Sequence, residues 1–419
     1  MKFDTIIIGG GLSGLTCGIK LVEKGQKCLI VSSGQSALHF SSGSFDLLNH
    51  LDGKPVIEPL QAVAALADSK PQHPYAKIGV TNFGILTQEA KALLQRTGVA
   101  TVGNATCNHY RITPLGELKP TWLSVPDCAI SPNGNTLPWK KVSIFNIAGF
   151  LDFHPTFISE EFQKMGTLSE VYTIDIPELE SLRRNPSELR ATNISQLFEN
   201  DAAFASLAEI LKQGRNHSDI IIIPACLGLN DNSIVKLNTL VGCQVYMIPT
   251  FPPSIVGIRS QQRMVTYFRS QGGYYMLGDA VNNIDRETNG MYRINTNNHG
   301  DISFTARNIV LATGSFFSKG LVASRQQIFE PIAYLDVDAA DKRQDWYSEN
   351  FFDDQAYQYF GVRTDANFRV SKQGNIQHRF YAAGAVLSGF NALREGCGSG
   401  VSLLTALHIA DQIVKNDPS

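Results

Sequence analysis

Apolar positions along this chain follow two rhythms, and each predicts a different element. Residues 3 to 8, "FDTIII", are a β-branched run and predict a strand. Leu15, Ile19 and Val22 then recur at helical spacing up to Gly25, which predicts a helix over "LTCGIKLVEKG". A second apolar run, Lys27 to Ser32, predicts the next strand. Further on, "KKVSIFNIAGFLDFHPTFISEEFQKMG" reads as strand, turn and helix. "SDIIIIPACLGL" and "CQVYMIPTFPPS" read as two more strands with a helix between them. "QRMVTYFRSQGG" predicts a helix and "YYMLGDAVNNI" a strand, followed by a hairpin through Asn289-Gly290 into "MYRINT". A short strand, Ile309-Val310-Leu311, ends in Ala312-Thr313-Gly314. Residues 380 to 410 give a strand into Gly384, a loop, a cluster at Gly396, Gly398 and Gly400, and an apolar-striped helix from Val401 to Ala410.

The first turn carries chemistry, because it reads Gly9-x-Gly11-x-x-Gly14. Gly9 permits a tight turn, and Gly11 lets the backbone approach a phosphate with no Cβ in the way. Gly14 lets the helix pack closely on the strand, so that the helix N-terminus, at Leu12 and Ser13, offers free N–H groups to an anion. The strand before and the helix and strand after meet the context this motif needs. With the A-T-G strand end and the closing strand–glycine–helix, the set resembles the two-dinucleotide-binding-domain flavoproteins. The fold expected is α/β: a Rossmann-like flavin-binding domain over residues 1–73 and 261–419, with a second α/β domain, residues 74–260, inserted. In such a domain Gly398, Ser399, Gly400 and Val401 bring a second helix N-terminus toward the flavin ring, where it stabilises negative charge on the reduced N1–C2 carbonyl side.

Composition narrows the picture. The 419 residues suit two domains, and 43% hydrophobic with 18% charged residues describes an ordinary globular α/β enzyme. A formal net charge of −2 without long runs of one sign points away from nucleic acid and from anionic membrane surfaces. No apolar stretch reaches transmembrane length, and the chain enters its first strand at once, so a cytoplasmic protein is expected. None of the seven cysteines forms a C-x-x-C pair, so no metal or iron–sulfur centre is expected.

Longer blocks are more specific. They include "GQSALHFSSGSFDLL", "RITPLGELKPTWLS", "PACLGL", "PTFPPSIVGIR", "VLATGSFFSKGLVA" and "GCGSGVSLLTALHIA". From Phe3 to the last helix the chain resembles the B-subunit family of the bacterial anaerobic glycerol-3-phosphate dehydrogenases. The resemblance implies a B subunit paired with an FAD-containing A subunit on a membrane-anchored iron–sulfur C subunit. It implies oxidation of glycerol 3-phosphate to dihydroxyacetone phosphate, with electrons passed to menaquinone, and a peripheral place on the inner membrane face through the partners. It also implies FMN in this subunit. The residues bear on that: where a dinucleotide fold usually ends its second strand in Asp or Glu, to hold a ribose, this chain has Ser32-Ser33. FMN needs no such carboxylate, and FAD held by backbone and hydroxyl groups is the alternative.

The candidate flavin contacts are Gly9, Gly11, Leu12, Ser13, Gly14, Ser32, Ser33, Ser41, Ser42, Gly43, Thr313, Gly314, Gly384, Gly398, Ser399, Gly400 and Val401. Arg111, Lys119, Arg259 and Arg394 are candidates for a substrate phosphate, each with an ordinary structural role as its alternative. His39 and His109 are candidate bases, while His408 sits mid-helix among apolar neighbours and reads as core; no base is assigned. A covalent flavin link at His39 is not expected. Two readings stay open: a catalytic or electron-relay flavoprotein subunit, and an assembly partner with a degenerate flavin site. An unrelated FAD-dependent reductase of similar fold is a third alternative, weakened by the family-specific blocks.

Overall fold

The computed structural model describes residues 1–185, 187–229 and 233–417, and the chain divides into two units. The first comprises Met1–Ala37, Asp46–Val99 and Arg263–Ser419; the second comprises Leu38–Phe45 and Ala100–Gln262. Both are α/β, the first on a mixed sheet with a parallel centre and the second on a parallel sheet, in keeping with a Rossmann-like architecture.

The first unit is built on the strand Lys2–Ile8, whose Ile6 and Ile7 are fully buried. It pairs in parallel with Cys28–Ser32 on one side and with Phe304–Leu311 on the other. Phe304–Leu311 pairs in parallel with Asn375–Ala382 as well. The register sets Val31, Ile8, Leu311 and Ala382 in one row at the carboxyl ends of four neighbouring strands. That row is the place where open parallel sheets bind ligands.

The first helix, Leu12–Glu23, packs against the closing helix, Gly398–Asn416, and the helix Val80–Arg96 packs against the closing helix too. Lys20, on the first helix, pairs with Glu89 and, at 3.1 Å, with Asp411, tying the three helices together.

Two expectations need correction here. The boundary expected at residue 74 falls inside the first unit, because Pro74–Ile78 and Val80–Arg96 bury their apolar faces there, while Leu38–Phe45 belongs to the second unit. The strand expected over "YYMLGDAVNNI" is two strands. Tyr274–Leu277 runs parallel to Cys28–Ser32, the backbone turns at Gly278 (φ +85°), and Val281–Arg286 runs antiparallel to Tyr292–Thr296. The Asn289-Gly290 hairpin forms as expected, with the Gly290 amide donating to the Glu287 carbonyl.

The second unit holds four parallel strands in the order Leu168–Ile174, Lys141–Ile147, Ile220–Pro224, Gln244–Ile248. Its core is Ile- and Phe-rich, with Ile144, Ile221, Ile222, Phe162 and Leu211 fully buried. The continuous apolar run of Ile220–Pro224 is what a central parallel strand, covered on both faces, requires.

Candidate functional site

Three turns of the first unit converge at the row of strand ends. Gly9 leaves the first strand at φ +118°, a conformation that favours glycine, and its amide donates to the Val31 carbonyl at 2.8 Å. A Cβ added there would overlap the Ala312 carbonyl, so the A-T-G turn lies directly against Gly9. A Cβ at Gly14 would overlap the Gly9 carbonyl, which fixes how closely the first helix approaches its strand. The Gly384 turn comes from the other side: a Cβ there would overlap the Ser13 hydroxyl. The Gly384 amide donates to Thr405 Oγ1 of the closing helix at 3.0 Å. Gly9, Ser13, Gly14, Thr313 and Gly384 are therefore brought together.

Gly11 is the exception in this crowd. The nearest atom to an added Cβ is Ser36 Cβ at 3.7 Å. The helix begins at Leu12 with Gly11 as its cap and no side chain capping it, so the amides of its first turn have no intrahelical acceptor. An open, donor-rich helix start behind a glycine is the cradle a flavin phosphate needs. Thr313 Oγ1 and Thr16 Oγ1, both beside this corner in sequence, are buried without a hydrogen-bond partner among the described residues. The residues present therefore fit a flavin phosphate.

The ribose position is built differently. Ser32 is 5% exposed, its hydroxyl donates to the Gly34 carbonyl at 2.9 Å, and Ser33 is exposed. Ser32 and the Tyr275 hydroxyl stand over Gly10, and Tyr275 donates to the Gly10 carbonyl at 3.3 Å. Asp279, on the adjoining strand connection, has its carboxylate bound to His299 at 2.6 Å and to the amides of Ala280 and Asn298.

At the closing helix, the Gly400 amide donates to the Asp46 carbonyl and the Val401 amide to the Cys397 carbonyl. Val401 is fully buried, so its side chain is core. Gly398 and Ser399 supply the outermost amides of that helix. Gly314 turns at φ +82°, with Gly320 packed against its carbonyl.

A buried polar cluster, which motif reading missed, holds this helix end. Glu395, 3% exposed, lies 2.7 Å from Lys70 Nζ and 3.3 Å from Nε2 of the fully buried His73. His73 Nδ1 accepts the Tyr75 amide at 3.0 Å, which places the ring proton on Nε2, facing Glu395. Burial pushes the Glu395 carboxyl up, but His73, Lys70 and the Asn391 amide together hold it down at about 2. The pairing spans more than 300 residues, and no local signal announces it.

The remaining candidates are accounted for individually. Ser41, Ser42 and Gly43 lie in the second unit. Ser41 Oγ accepts the Gly43 amide at 3.3 Å, the Ser42 and Ser44 hydroxyls are 2.7 Å apart, and Gly43 packs on Val256. Arg259 is 6% exposed and committed to Asp127 at 2.6 Å and to the Gly228 carbonyl at 2.9 Å, so it holds the second unit together. Arg394 donates to the Phe352 carbonyl at 2.7 Å and faces Asp354. Arg111 is half-buried on the strand His109–Ile112, and Lys119 is exposed on its partner strand.

Burial lowers the His109 pKa to about 4, and His109 Nε2 lies 2.8 Å from the Ser124 hydroxyl. The His39 pKa is also lowered by burial, against the raising effect of its hydrogen bond with the Gln261 side chain. His408 packs edge-on against the Phe368 ring at 5.5 Å, as a core histidine does.

Comparison with known proteins gives these positions a context. The family described as FAD binding domain matches residues 4–401. Over 417 residues the chain is 45% identical to the B subunit of anaerobic glycerol-3-phosphate dehydrogenase from Yersinia pestis, covering 99% of this chain and 98% of that protein. It is 42% identical to the corresponding protein of the same name from Pectobacterium atrosepticum, covering 99% of each. Among solved structures, the 3-ketosteroid delta1-dehydrogenase of Sterolibacterium denitrificans is similar at 9% identity and a TM-score of 0.45, covering 99% of this chain and 100% of that one. The family match supports a flavin, and it favours FAD over the FMN that the resemblance implied and that Ser32-Ser33 suited.

Proposed function

The chain belongs to the FAD binding domain family and to the B subunits of anaerobic glycerol-3-phosphate dehydrogenase, and from that premise we propose that it is a flavin-carrying redox subunit of an enzyme oxidising glycerol 3-phosphate to dihydroxyacetone phosphate. The observation that carries this reading is the convergence of the Gly9, Ala312-Thr313 and Gly384 turns around an open Gly11 and an uncapped helix start. A bound flavin supplies a two-electron acceptor. This chain's part is to hold and orient it. The first-turn amides at Leu12, Ser13 and Gly14 take the phosphate, and the Gly398 and Ser399 amides favour negative charge on the ring's carbonyl side. Lys70, His73 and Glu395 keep that second helix end in place.

The flavin we propose is FAD, on the strength of the family. Its ribose would be held by backbone and hydroxyl groups around Ser32 and Tyr275, since the usual carboxylate is missing. The electrons are proposed to leave through partner subunits toward a quinone. These partners are an FAD-containing A subunit and an iron–sulfur C subunit that places the complex at the inner membrane face. No helix among the described residues is long and apolar enough to cross a membrane, which suits attachment through a partner.

The test is an absorbance spectrum of the purified chain, release of the cofactor by heat, and its identification by mass. One FAD per chain supports the proposal in full. FMN would keep the redox role and restore the mononucleotide reading. No flavin after reconstitution with the partner subunits would leave only an assembly role.

A further inference from the structure

Resting on the reading above, we propose that Arg325 and Arg343 form the site that takes the phosphate ester of the substrate. They line one open cleft of about 760 Å³, together with Ala323, Ser324, Trp346 and Tyr347. Arg325 sits at the tip of a tight hairpin between Val322–Ala323 and Ile328–Phe329, which Ser324 closes by accepting the amides of Gln326 and Gln327. Arg343 lies over the Trp346 ring at 5.8 Å, and Trp346, itself 7% exposed, is anchored by its indole N–H to the Ala340 carbonyl at 2.7 Å. One guanidinium is thus presented by a rigid turn and the other by a buried aromatic plate.

Neither arginine has a carboxylate within ion-pair distance among the described residues, whereas Arg259 and Arg394 each face one. Two uncompensated guanidiniums across one cleft fit a dianionic phosphate monoester, which accepts paired N–H donors. The cleft is also tied to the A-T-G turn. Phe316, two residues past Gly314, packs edge-on against Tyr357 at 6.3 Å, and the Tyr357 amide donates to the Trp346 carbonyl at 2.8 Å.

The test titrates the flavin-loaded full-length chain with inorganic phosphate, sn-glycerol 3-phosphate and glycerol. Calorimetry and tryptophan fluorescence are the readouts. Both phosphates are expected to bind and compete for one site, with glycerol silent. Arg325→Gln and Arg343→Gln should each weaken binding about tenfold or more, the double variant about a hundredfold, and Arg394→Gln not at all. Wild-type affinity in the folded double variant would overturn the proposal, as would absence of binding by the wild-type chain. Binding only to vesicles containing phosphatidylglycerol, with no response to the soluble esters, would overturn it too, in favour of a lipid surface. Flavin content measured on each sample separates the two questions. A chain without flavin sinks the redox reading, while the anion titration still decides the arginines.

Discussion

Each unit contains a parallel strand–turn–helix–strand, and the two turns are filled in opposite ways. In the first unit, residues 9 to 11 alone separate Lys2–Ile8 from Leu12–Glu23, and all three are glycine. In the second, residues 148 to 154 separate Lys141–Ile147 from Pro155–Lys164. There Phe150 and Phe153 turn inward to 2% exposure each and become part of the core. Parallel topology places both turns at carboxyl strand ends, where ligands are usually bound. Neither helix start has a side-chain cap, but only the glycine turn carries no side chains of its own between the strand end and the helix. Architecture sets where a site can form, and the turn's own side chains decide whether it does.

The largest effect should come from emptying the filled turn. Phe153→Ala removes a fully packed ring and should cost about 3–5 kcal/mol of stability. Amide hydrogen exchange should quicken across the second unit's strands, while flavin per folded chain stays at the wild-type level. A parallel loss of flavin would break the contrast between the turns.

Acid should also separate the two units. Glu395 in the first and Glu170 in the second are both held at about 2, but by different means. Glu395 is buried with His73 and Lys70. Glu170 is half-exposed, with Tyr172, Asn216 and Lys141 around it. A carboxyl lowered on folding contributes stability above its ordinary range and loses it as pH falls toward the folded value. For Glu395 that is roughly 3 kcal/mol, lost between about pH 5 and 2. His73, whose pKa burial lowers, adds in the same direction because the unfolded chain takes up its proton more readily. Titration followed by NMR in about 0.05 M and about 1 M salt should move Glu170 toward its ordinary pKa and leave Glu395 nearly fixed. Equal salt responses would show that Glu395 is not sheltered.

What was legible in the sequence follows the same division between local and distant. The glycine turn, the A-T-G strand end and the closing helix were readable because their spacing and β-branched runs are local signals. Arg259 reads as a free cation until the fold brings Asp127 to it from 132 residues away. Pro74–Arg96 reads as the start of an insertion, yet its packing partner is the closing helix, at the far end of the chain. Arg325 and Arg343 belong to no motif, and what marks them is a missing counter-charge, which only a folded neighbourhood reveals. The break at Gly278 was present in the sequence as a glycine, but the β-rich residues around it masked the change of partner strand.

Within the glycine turn, the contrast can be sharpened one methyl at a time. Gly14→Ala puts a Cβ into the Gly9 carbonyl, and a backbone neighbour cannot step aside cheaply. It should cost about 1–3 kcal/mol of stability and, because the helix start is displaced, more than tenfold in flavin affinity. Unchanged flavin content in a destabilised Gly14→Ala chain would mean that the cradle does not depend on this close packing.

Gly11→Ala is the smallest perturbation and the most discriminating. Gly11 already has φ −84°, which any residue adopts, and an added methyl meets only Ser36 Cβ at 3.7 Å. The flavin-free protein should lose under about 1 kcal/mol, the cost of alanine at a helix cap, and its melting point should move by about 2 °C or less. Space that is open in the protein alone is still closed if a phosphate must approach the backbone there. Flavin affinity should therefore fall about tenfold or more, although stability barely changes, when the flavin-free variant is titrated with FAD by fluorescence quenching. Stability and affinity falling together would make Gly11 an ordinary packing glycine. Affinity falling alone would mean that the glycine is there for a ligand, because nothing in the folded chain needs the room.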